Sequence, residues 1–528
     1  MSDADTAPSN PDDGYRWRVL GIVMLGTVMS ALDSSIVNVT LPSMMADFGA
    51  SVDEIEWVVT GYMLGFSTFM PLTAWLRERI GYRVLYTTSL AVFTVGSVLC
   101  GLAPNLGTLI VARVIQALGG GAITPTGMAM IAEVFPPDER GRALGIWGVG
   151  VIVGPALGPT LGGYLTDAFG WRSIFDINLP IGAIGLLLAL RVLRHDKPRA
   201  GSARGFDLPG FVLLSSFLIA TLLGLSKGNH EGWMSAYVLT CALVSLVSLV
   251  LFLTVESVVT DRILDLGLFA NRQYTVAMIV TGARSVVLYG GSFLLPLFLQ
   301  NQMGRSEVDT GLILLPGALT IGFFMPIGSR IADKHGPRLP TVVGLLLTAW
   351  FMWLYRDLDV TTSAWSVLYP TLIRGLGLGL LVTPVMTAAM NAVPTAKAGM
   401  ASSMLSLTQQ VAGSVGIAIL ASILGQRATY HVSVVGESLT STRPALVGAV
   451  HALARRAVEL GIPPGDATRA AGGMVVRNVA QAATVQAFND SFLVGAAIVL
   501  SAVIPALFLS PKGMRRAPAQ PQGVSAKQ

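Results

Sequence analysis

The chain of 528 residues is 52% hydrophobic and only 12% charged, with a mean hydropathy of +0.65. A soluble domain carries about 25% charged residues, so this composition excludes a soluble globular protein and indicates many membrane spans. The formal net charge of +5 does not indicate nucleic-acid binding, because the basic residues lie between hydrophobic segments, where membrane orientation accounts for them.

Apolar stretches of about 20 residues, the length that crosses a bilayer core, recur along the chain. The polar and partly acidic start is unlike the basic start of a cleaved signal peptide, so we expect the first stretch to be retained. We predict fourteen spans, and an even number places both termini on one side. The predicted spans are 18–42, 55–76, 84–103, 106–134, 143–167, 174–194, 209–227, 236–256, 274–300, 309–330, 340–355, 365–390, 400–424 and 490–510.

Basic residues between the spans set the predicted orientation. Alternate short loops are rich in Arg and Lys, and the loops between them hold one basic residue or none. By the positive-inside rule, the basic loops and both termini are cytoplasmic, and segment 425–489 is extracytoplasmic, where it could form a cap or lid. The Ala- and Gly-rich composition fits a bacterial cytoplasmic (inner) membrane. The basic positions are Arg77, Arg79, Arg83, Arg140, Arg142, Arg191, Arg194, Lys197, Arg199, Arg204, Arg262, Arg272, Arg330, Lys334, Arg338, Lys512, Arg515 and Arg516.

Two sequence repeats indicate that the chain contains two related halves. RVIQALGGGAITPTG in the fourth predicted span resembles RGLGLGLLVTPVM in the twelfth, and LRERIGYR after the second resembles IADKHGPR after the tenth. Both pairs lie eight spans apart, which predicts two six-helix bundles separated by two inserted helices. The predicted divisions are a tail over 1–17, a first bundle over 18–194, a linker with the inserted helices over 195–273, a second bundle over 274–510 and a tail over 511–528.

Asp33 is the acidic residue best placed for proton coupling. It lies inside the first predicted span, about 12 Å from the outer end at about 1.5 Å per residue. A carboxylate in the hydrocarbon region costs at least about 2.5 kcal/mol, so acids at such depth are usually functional. A carboxylate removed from water also holds a proton more readily. The alternative is an Asp that only hydrogen-bonds a neighbouring helix for packing.

Arg113 enters the fourth predicted span at a depth similar to that of Asp33. A cation there would stabilise the ionised carboxylate, and proton uptake by Asp33 would weaken the pair. Gln116, one turn further along, could belong to the same network. The alternative is a structural arginine that binds backbone carbonyl groups.

Two further arginines lie inside predicted spans of the second half. Arg374 occupies the place of Arg113, and without an acid nearby in sequence it is expected to be structural or substrate-facing. Arg284 falls opposite Ser30, one turn from Asp33, when the Leu-Pro pairs of the two halves are aligned. It could attract an anionic or zwitterionic substrate, or it could pair internally.

An adaptable apolar pocket for a small amphipathic substrate is a further prediction from the aromatic side chains within the spans. At helical spacing, such side chains are more often ordinary core or lipid contacts. The candidates are Tyr62, Phe66, Tyr289 and Phe293.

The fifth predicted span contains GIWGVGVIVGPALGPTLGG over residues 145–163. In lipid, glycine lets a neighbouring backbone approach closely, and proline weakens the local helical hydrogen bonding. This glycine ladder therefore predicts a close, bendable contact between the bundles, with simple close packing of two helices as the alternative. Its residues are Gly145, Gly154, Gly158, Pro159, Gly162 and Gly163.

These patterns resemble the fourteen-span drug:proton antiporter-2 branch of the major facilitator superfamily, whose members are multidrug efflux transporters. ALDSSIVNVTLP at 31–42 is similar to the first-helix motif of that branch, and RVIQALGGG at 113–121 is similar to the fourth-helix motif. WRSIFDINLPIG at 171–182 and DLPG at 207–210 are similar as well. The resemblance implies a major facilitator fold, alternating access, a role for Asp33 and Arg113 in proton coupling, and a gating role for the glycine ladder.

The resemblance also implies a cytoplasmic gate in the loops after the second and tenth spans. The family pattern G-x-L-a-D-r-x-G-r is altered here, since Ala74 and Ser329 replace the first glycine and Glu78 replaces the acid of the first copy. Acid–base contacts are still expected, because Glu can pair with Arg as Asp does. The implied gate residues are Glu78, Arg79, Gly81, Arg83, Asp333, Lys334, Gly336 and Arg338.

The sequence therefore predicts a proton-coupled antiporter that exports amphipathic drugs or antibiotics, with a dedicated exporter of one endogenous metabolite or natural product as the alternative. A non-transporting membrane receptor on the same fold is a more distant one. The five histidines form no metal-ligand pattern, and the chain has no Walker A motif and no nucleophile–base constellation. We expect no metal, cofactor or enzymatic activity, and partners limited to the substrate, protons and the bilayer around a monomer.

Overall fold

A computed structural model of the chain describes residues 13–137, 139–195, 205–259, 262–359, 362–438, 444–459 and 463–510. These residues are almost entirely helical and contain no β-strand, which confirms the predicted all-helical fold. Lys197, Arg199, Arg204, Lys512, Arg515 and Arg516, and nearly all of the two predicted tails, lie outside the described residues.

Seventeen α-helices and three 3-10 helices form the described chain. The 3-10 helices, Leu266–Ala270, Tyr355–Asp357 and Thr395–Lys397, lie in connections. The α-helices are α1 (Asp13–Phe48), α2 (Val52–Phe69), α3 (Leu72–Gly101), α4 (Leu106–Val134), α5 (Arg140–Phe169), α6 (Ser173–Asp176), α7 (Asn178–Val192), α8 (Leu208–Glu231), α9 (Ala236–Val258), α10 (Arg272–Asn301), α11 (Glu307–His335), α12 (Arg338–Leu354), α13 (Ala364–Asn391), α14 (Ala398–Ser438), α15 (Pro444–Glu459), α16 (Pro464–Ser501) and α17 (Val503–Ala506).

Twelve helical segments of the described chain are long and apolar enough to cross a membrane, judged by length and composition. They are α1, α3, α4, α6 with α7, α8 to α14, and α16. The second predicted span falls on α2 and the start of α3, and the fifth falls on α5. Since α2 and α5 are not among the twelve, the count of fourteen spans stays a prediction.

Polar residues at helix starts explain where several of these helices begin. Ser51 accepts a hydrogen bond from the backbone N–H of Glu54, whose side chain accepts one in return from the backbone N–H of Ser51. Asn105 and Thr108 form the same reciprocal arrangement at the start of α4. Such boxes satisfy N–H groups that have no partner within the helix.

The repeated loop motif has the same backbone geometry in both halves. Gly81, inside α3, has φ 78° and ψ 167°, and Gly336, between α11 and α12, has φ 84° and ψ 161°. Residues with a side chain rarely adopt such positive φ values, which explains why glycine occupies both positions. Gly81 divides α3, so the second predicted span continues from α2 into the first part of α3, past an interruption at Met70 and Pro71.

The two halves of the chain meet along α5 and α11. Within the first half, α1 packs on α5, and α4 packs on α2 and α3; within the second, α10 packs on α14 and α11 on α13. Residue numbers rise along α5 as they fall along α11, so the two helices pack antiparallel. Neighbours along this seam are Thr160 with Gly311, Val149 with Gly322, Gly145 with Ser329, and Gly141 with Asp333.

The glycine ladder of α5 packs mainly against α1, within the first half. A Cβ atom at Gly154 would lie 2.7 Å from the Cβ atom of Ala31, and one at Gly158 would overlap the hydroxyl of Ser35. Gly162 lies similarly close to Ile36. The expected contact between the bundles is therefore wrong for these three glycines, because the face of α5 that they share is covered by α1.

The two ends of the glycine ladder behave differently from its centre. Gly145 faces the second half, where an added Cβ atom would lie 2.8 Å from Ser329 Oγ on α11. A Cβ atom added at Gly163 would have no neighbour within 4 Å, so the expectation of close packing is wrong at this position. The side chain of Pro159 lies outside the described part of the structure.

The inserted pair α8 and α9 touches both halves. Helix α8 packs on α2 of the first half and on α14 of the second, and Lys227 forms an ion pair with Glu56 of α2 at 3.0 Å. Much of α9 faces outward, with exposed apolar side chains that suit contact with lipid, such as Leu243 and Leu246. At its end, the buried Glu256 accepts hydrogen bonds from two backbone N–H groups of the connection to α10.

Segment 425–489 is helical where it is described. It comprises the end of α14, all of α15 and most of α16, so the last predicted span, 490–510, is the continuation of a helix that begins at Pro464. Asp490 on α16 accepts a hydrogen bond from His431 of α14 at 2.8 Å and lies 3.4 Å from Arg427. These contacts tie the extension of α14 to α16.

Replacing Gly158 with Val should destabilise the protein, whereas replacing Gly163 with Val should not. The valine at 158 would collide with Ser35, and overpacking of this kind costs about 1–3 kcal/mol. Both changes alter the helix propensity of α5 in the same way, so the second variant controls for it. The measurement is the midpoint of thermal unfolding of each purified variant in detergent. Equal midpoints for the two variants would contradict the close packing of α1 on α5.

Candidate functional site

Asp33 of α1 lies at the centre of a buried polar cluster. Its side chain is 1% exposed and accepts hydrogen bonds from three residues. Arg113 Nη1 lies 2.6 Å from Asp33 Oδ2, and Gln116 Nε2 lies 2.8 Å from Oδ1. Asn178 Nδ2, at the start of α7, donates to Oδ1 at 2.9 Å. The structure thus brings together the three residues that the sequence selected for proton coupling and adds a fourth.

Arg113 is buried between α1, α2 and α4. Besides the ion pair with Asp33, its Nη1 donates to Gln116 Oε1 at 2.6 Å, and its Nε donates to the carbonyl oxygen of Val58 at 3.4 Å. The guanidinium carbon lies 4.1 Å from the centre of the Tyr62 ring, which is within the range of a cation–π contact. The two roles considered for Arg113, pairing with the acid and binding a carbonyl group, therefore occur together.

Ser97 of α3 joins the donors that surround Asp33. Its hydroxyl accepts hydrogen bonds from Gln116 at 3.1 Å and from Asn178 at 2.9 Å, and donates to the carbonyl of Phe175 at 3.1 Å. The close approach of α3 and α4 depends on Gly96, where a Cβ atom would lie 2.6 Å from Gln116 Cα. Four helices thus contribute side chains to the cluster.

Ser97 and Asn178 are functional candidates that the sequence analysis missed. Asn178 stands inside WRSIFDINLPIG, so a signal was present, but the sequence did not show that the start of α7 reaches α1. Ser97 stands in an apolar stretch and carries no local signal.

The electrostatics of the cluster depend on the charge of Asp33. Ionised, the carboxylate balances Arg113 and accepts three hydrogen bonds, two of which come from neutral amides. Such charge-assisted bonds are strong away from water. Protonation would leave Arg113 as a buried cation without a counter-charge, which is costly in a medium of low dielectric constant. The arrangement can therefore couple a proton to the contact of α1 with α4 and α7.

The predicted pocket aromatics are divided between the halves. Tyr62 and Phe66 on α2 have ring centres 5.8 Å apart, and Tyr62 lies beside Arg113. Tyr289 and Phe293 lie on α10, where the ring of Tyr289 packs against Gly413 of α14.

The predicted gate residues lie at the end of the molecule where α1 begins. The guanidinium of Arg79 stacks on Trp75 at 4.7 Å, and Arg83 donates to the carbonyl of Leu190 on α7 at 2.6 Å. Glu78 lines a small pocket with Trp75 and Arg262. An acid–base contact is made here by Arg77, which pairs with Glu133 at 2.9 Å and was not among the predicted gate residues.

The second copy of the gate motif lies at the same end of the molecule. Asp333 packs against Gly141 at the start of α5, and Lys334 and Gly336 follow at the end of α11. Arg338 begins α12. Next to them, Arg140 donates from α5 to Asn391 on α13 at 3.1 Å.

Near the end of the molecule where α1 begins, hydrogen bonds of hydroxyl groups join the two halves. Thr73 of α3 and Ser403 of α14 have hydroxyl oxygens 2.8 Å apart. Ser402 donates to the carbonyl of Pro125 in α4 at 3.0 Å. The halves are therefore held together on two sides, by α5 with α11 and by α14 with α3 and α4.

The two arginines of the second half have different surroundings. Arg374 of α13 donates to the carbonyl oxygen of Leu288 at 3.3 Å and to Ser292 Oγ at 2.5 Å, both on α10. Arg284 of α10 is 3% exposed, and its Nε is buried with no partner among the described residues. Among those residues, no group of three or more His, Cys, Asp or Glu side chains could hold a metal ion.

Comparisons with known proteins agree with this architecture. The Major Facilitator Superfamily profile matches residues 23–417. A relative from Mycobacterium tuberculosis named "Multidrug resistance protein B homolog" is 33% identical over 508 residues, which cover 95% of this chain and 92% of the relative. A relative from Clostridioides difficile named "Riboflavin transporter RibZ" is 33% identical over 424 residues, 79% of this chain and 90% of the relative.

A solved structure adds a likeness in fold alone. The proton:xylose symporter XylE has a TM-score of 0.58 and 13% identity to the chain, and the match covers 93% of this chain and 96% of the symporter. The profile match and the full-length relatives show that the chain belongs to the major facilitator superfamily of membrane transporters.

Proposed function

We propose that the protein exports amphipathic small molecules in exchange for protons, by alternating access. The observation that carries the proposal is the buried Asp33 carboxylate, which is held by Arg113, Gln116 and Asn178. The multidrug-resistance relative, at 33% identity over 95% of the chain, supports the class of cargo. We further propose that both termini face the cytoplasm, as the distribution of basic residues indicates.

Helix packing provides a route from the proton site to the seam between the halves. Protonation of Asp33 weakens the attachment of α1 to Arg113 on α4. Helix α1 is packed tightly on the glycine ladder of α5, so the two helices respond together. Helix α5 in turn packs along α11 of the second half. A change of charge on one carboxylate therefore biases the relative position of the halves, and the protonated and ionised forms favour different arrangements.

A dedicated exporter of one metabolite is the second candidate. The relative named as a riboflavin transporter is 33% identical over 79% of the chain, which shows that similar sequences occur in proteins named for a single cargo. The two candidate functions differ in how many different compounds the protein would export. A strain that lacks the gene should become sensitive to several unrelated amphipathic toxins if the protein is a multidrug exporter, and to none of them if it has one metabolite as cargo.

Replacing Asp33 with Asn should abolish efflux that is driven by a pH gradient. The amide keeps the shape of the side chain but cannot take up a proton. The measurement is substrate efflux from reconstituted vesicles under an imposed gradient. Asp47→Asn is the matched control, since Asp47 lies on the same helix but its side chain is 46% exposed in an ion pair with Arg172. Full gradient-driven efflux by the Asp33 variant would remove this residue from the mechanism.

Replacing Asn178 with Leu should change the pH profile of efflux. The substitution removes a hydrogen bond to the carboxylate that is proposed to carry the proton. A hydrogen bond to a charged group contributes about 1.5–3 kcal/mol. The measurement is the initial efflux rate of wild type and variant across a series of pH values. An unchanged profile would show that Asn178 has only a packing role.

A further inference from the structure

Two arginines of the second half are positioned along the same face of α10. Arg284 belongs to α10 itself, and Arg374 reaches α10 from α13, where it contacts Leu288 and Ser292. Positions 284, 288 and 292 are spaced four residues apart and so lie on one face of a helix. The rise per residue places the two contact points of Arg374 about 6 and about 12 Å along the helix from Arg284.

The positive charge of Arg284 has no buried counter-charge near it among the residues that the structure describes. The buried acidic residues of the described chain are Asp33, Asp207 and Glu256. Asp33 is paired with Arg113 in the first half, and the other two belong to the inserted pair α8 and α9 or its entrance. Within the described part of the second half, no buried carboxylate balances Arg284. A buried cation without a partner is costly in a medium of low dielectric constant, so such groups usually serve a function.

The guanidinium of Arg284 also makes no hydrogen bond to the described protein. Its Nε is fully buried and has no hydrogen-bond partner among the described residues, and the residue as a whole is 3% exposed. The internal pair that the sequence left open is not made among the described residues, which favours the alternative of a substrate-facing arginine.

Other unpaired polar groups lie at the same level of the second half. Thr281, one turn before Arg284, has a buried hydroxyl with no partner, as has Ser406 of α14. Gln409 of α14 has an unpaired amide nitrogen. Helix α14 runs beside α10 in a register that places Thr408 and Ala412 next to Gly282, so Gln409 lies within about a turn of Arg284 along the two helices and Ser406 within about two turns. Buried polar groups without protein partners indicate a place that a ligand or water completes.

We propose that Arg284, with Arg374 one to two turns further along α10, forms a subsite for the anionic group of an amphipathic substrate, such as a carboxylate. A guanidinium presents its N–H groups as a planar fork that matches a carboxylate, and the low dielectric constant of the interior strengthens the pair. The cargo would then include anionic and zwitterionic amphiphiles. This inference rests on the proposed transport function and names the class of substrate that it serves.

Two dyes with the same fluorophore test the subsite. Rhodamine 110 carries a free carboxyl group, and rhodamine 123 is its methyl ester, so the pair differs in that group alone. We expect the purified wild-type protein to bind rhodamine 110 more tightly than rhodamine 123 in a fluorescence-anisotropy titration. Arg284→Gln should weaken the binding of rhodamine 110 about tenfold or more, as the loss of a hydrogen bond between charged groups implies, and should leave rhodamine 123 unchanged.

Two further variants distinguish the effect of losing the charge of Arg284 from an effect on folding. Arg284→Lys keeps the charge without the fork and should retain part of the preference for rhodamine 110. Arg272→Gln changes an exposed arginine at the start of the same helix and should behave as wild type. Unchanged binding of rhodamine 123 by the Arg284→Gln variant shows that the variant is folded.

Two results would overturn the subsite. One is a wild-type protein that does not distinguish the two dyes. The other is an Arg284→Gln variant that keeps the thermal-unfolding midpoint of wild type but loses both dyes equally, which would mean that Arg284 does not recognise the carboxyl group. Binding in detergent needs no pH gradient, so failure of the subsite is distinguishable from failure of proton coupling, which the Asp33 variant tests in vesicles.

Discussion

The buried carboxylate of Asp33 constrains how the helices of the first half pack, because its surroundings exclude water. Asp33 accepts hydrogen bonds there from Arg113, Gln116 and Asn178, and each of these reaches it from a different turn or helix. The positions of α1, α4 and α7 are therefore linked to the charge of one side chain. Glycines at the helix contacts make this possible, since Gly96 brings α3 onto α4 at the level of Gln116.

In the described part of the second half, no buried carboxylate pairs with a buried arginine in this way. Its first helix, α10, carries Arg284 near the position that corresponds to Asp33, and the arginine equivalent to Arg113 contacts a carbonyl and a hydroxyl oxygen rather than an acid. The two halves thus resemble each other in helix packing but differ in the charge of the buried residue on their first helix. The first half buries an arginine paired with a carboxylate, whereas Arg284 in the described part of the second half is buried without one.

The sequence was informative where a residue type has one plausible physical cause. An Asp and an Arg at similar depth in two apolar stretches predicted a buried pair, and the repeated loop motif predicted two related halves, in which Gly81 and Gly336 adopt similar positive φ values. It was less informative where partners lie far apart in the chain. Nothing in the spacing of the ladder showed that α1, rather than α11, covers Gly154 and Gly158. Likewise, the position of Asn178 beside Asp33 follows from the packing of α7, which periodicity alone does not fix.

The close packing of α1 on α5 also bears on how this sequence can diverge. Gly158 leaves room for Ser35 and no more, and Gly154 stands in the same relation to Ala31. A larger residue on one helix is tolerable only if its opposite position becomes smaller, because neighbouring substitutions in a packed contact are not additive. Accepted changes along these two helices should therefore arise in compensating pairs. Helices α1 and α5 would then share an evolutionary history that neither shares with the lipid-facing surface of α9.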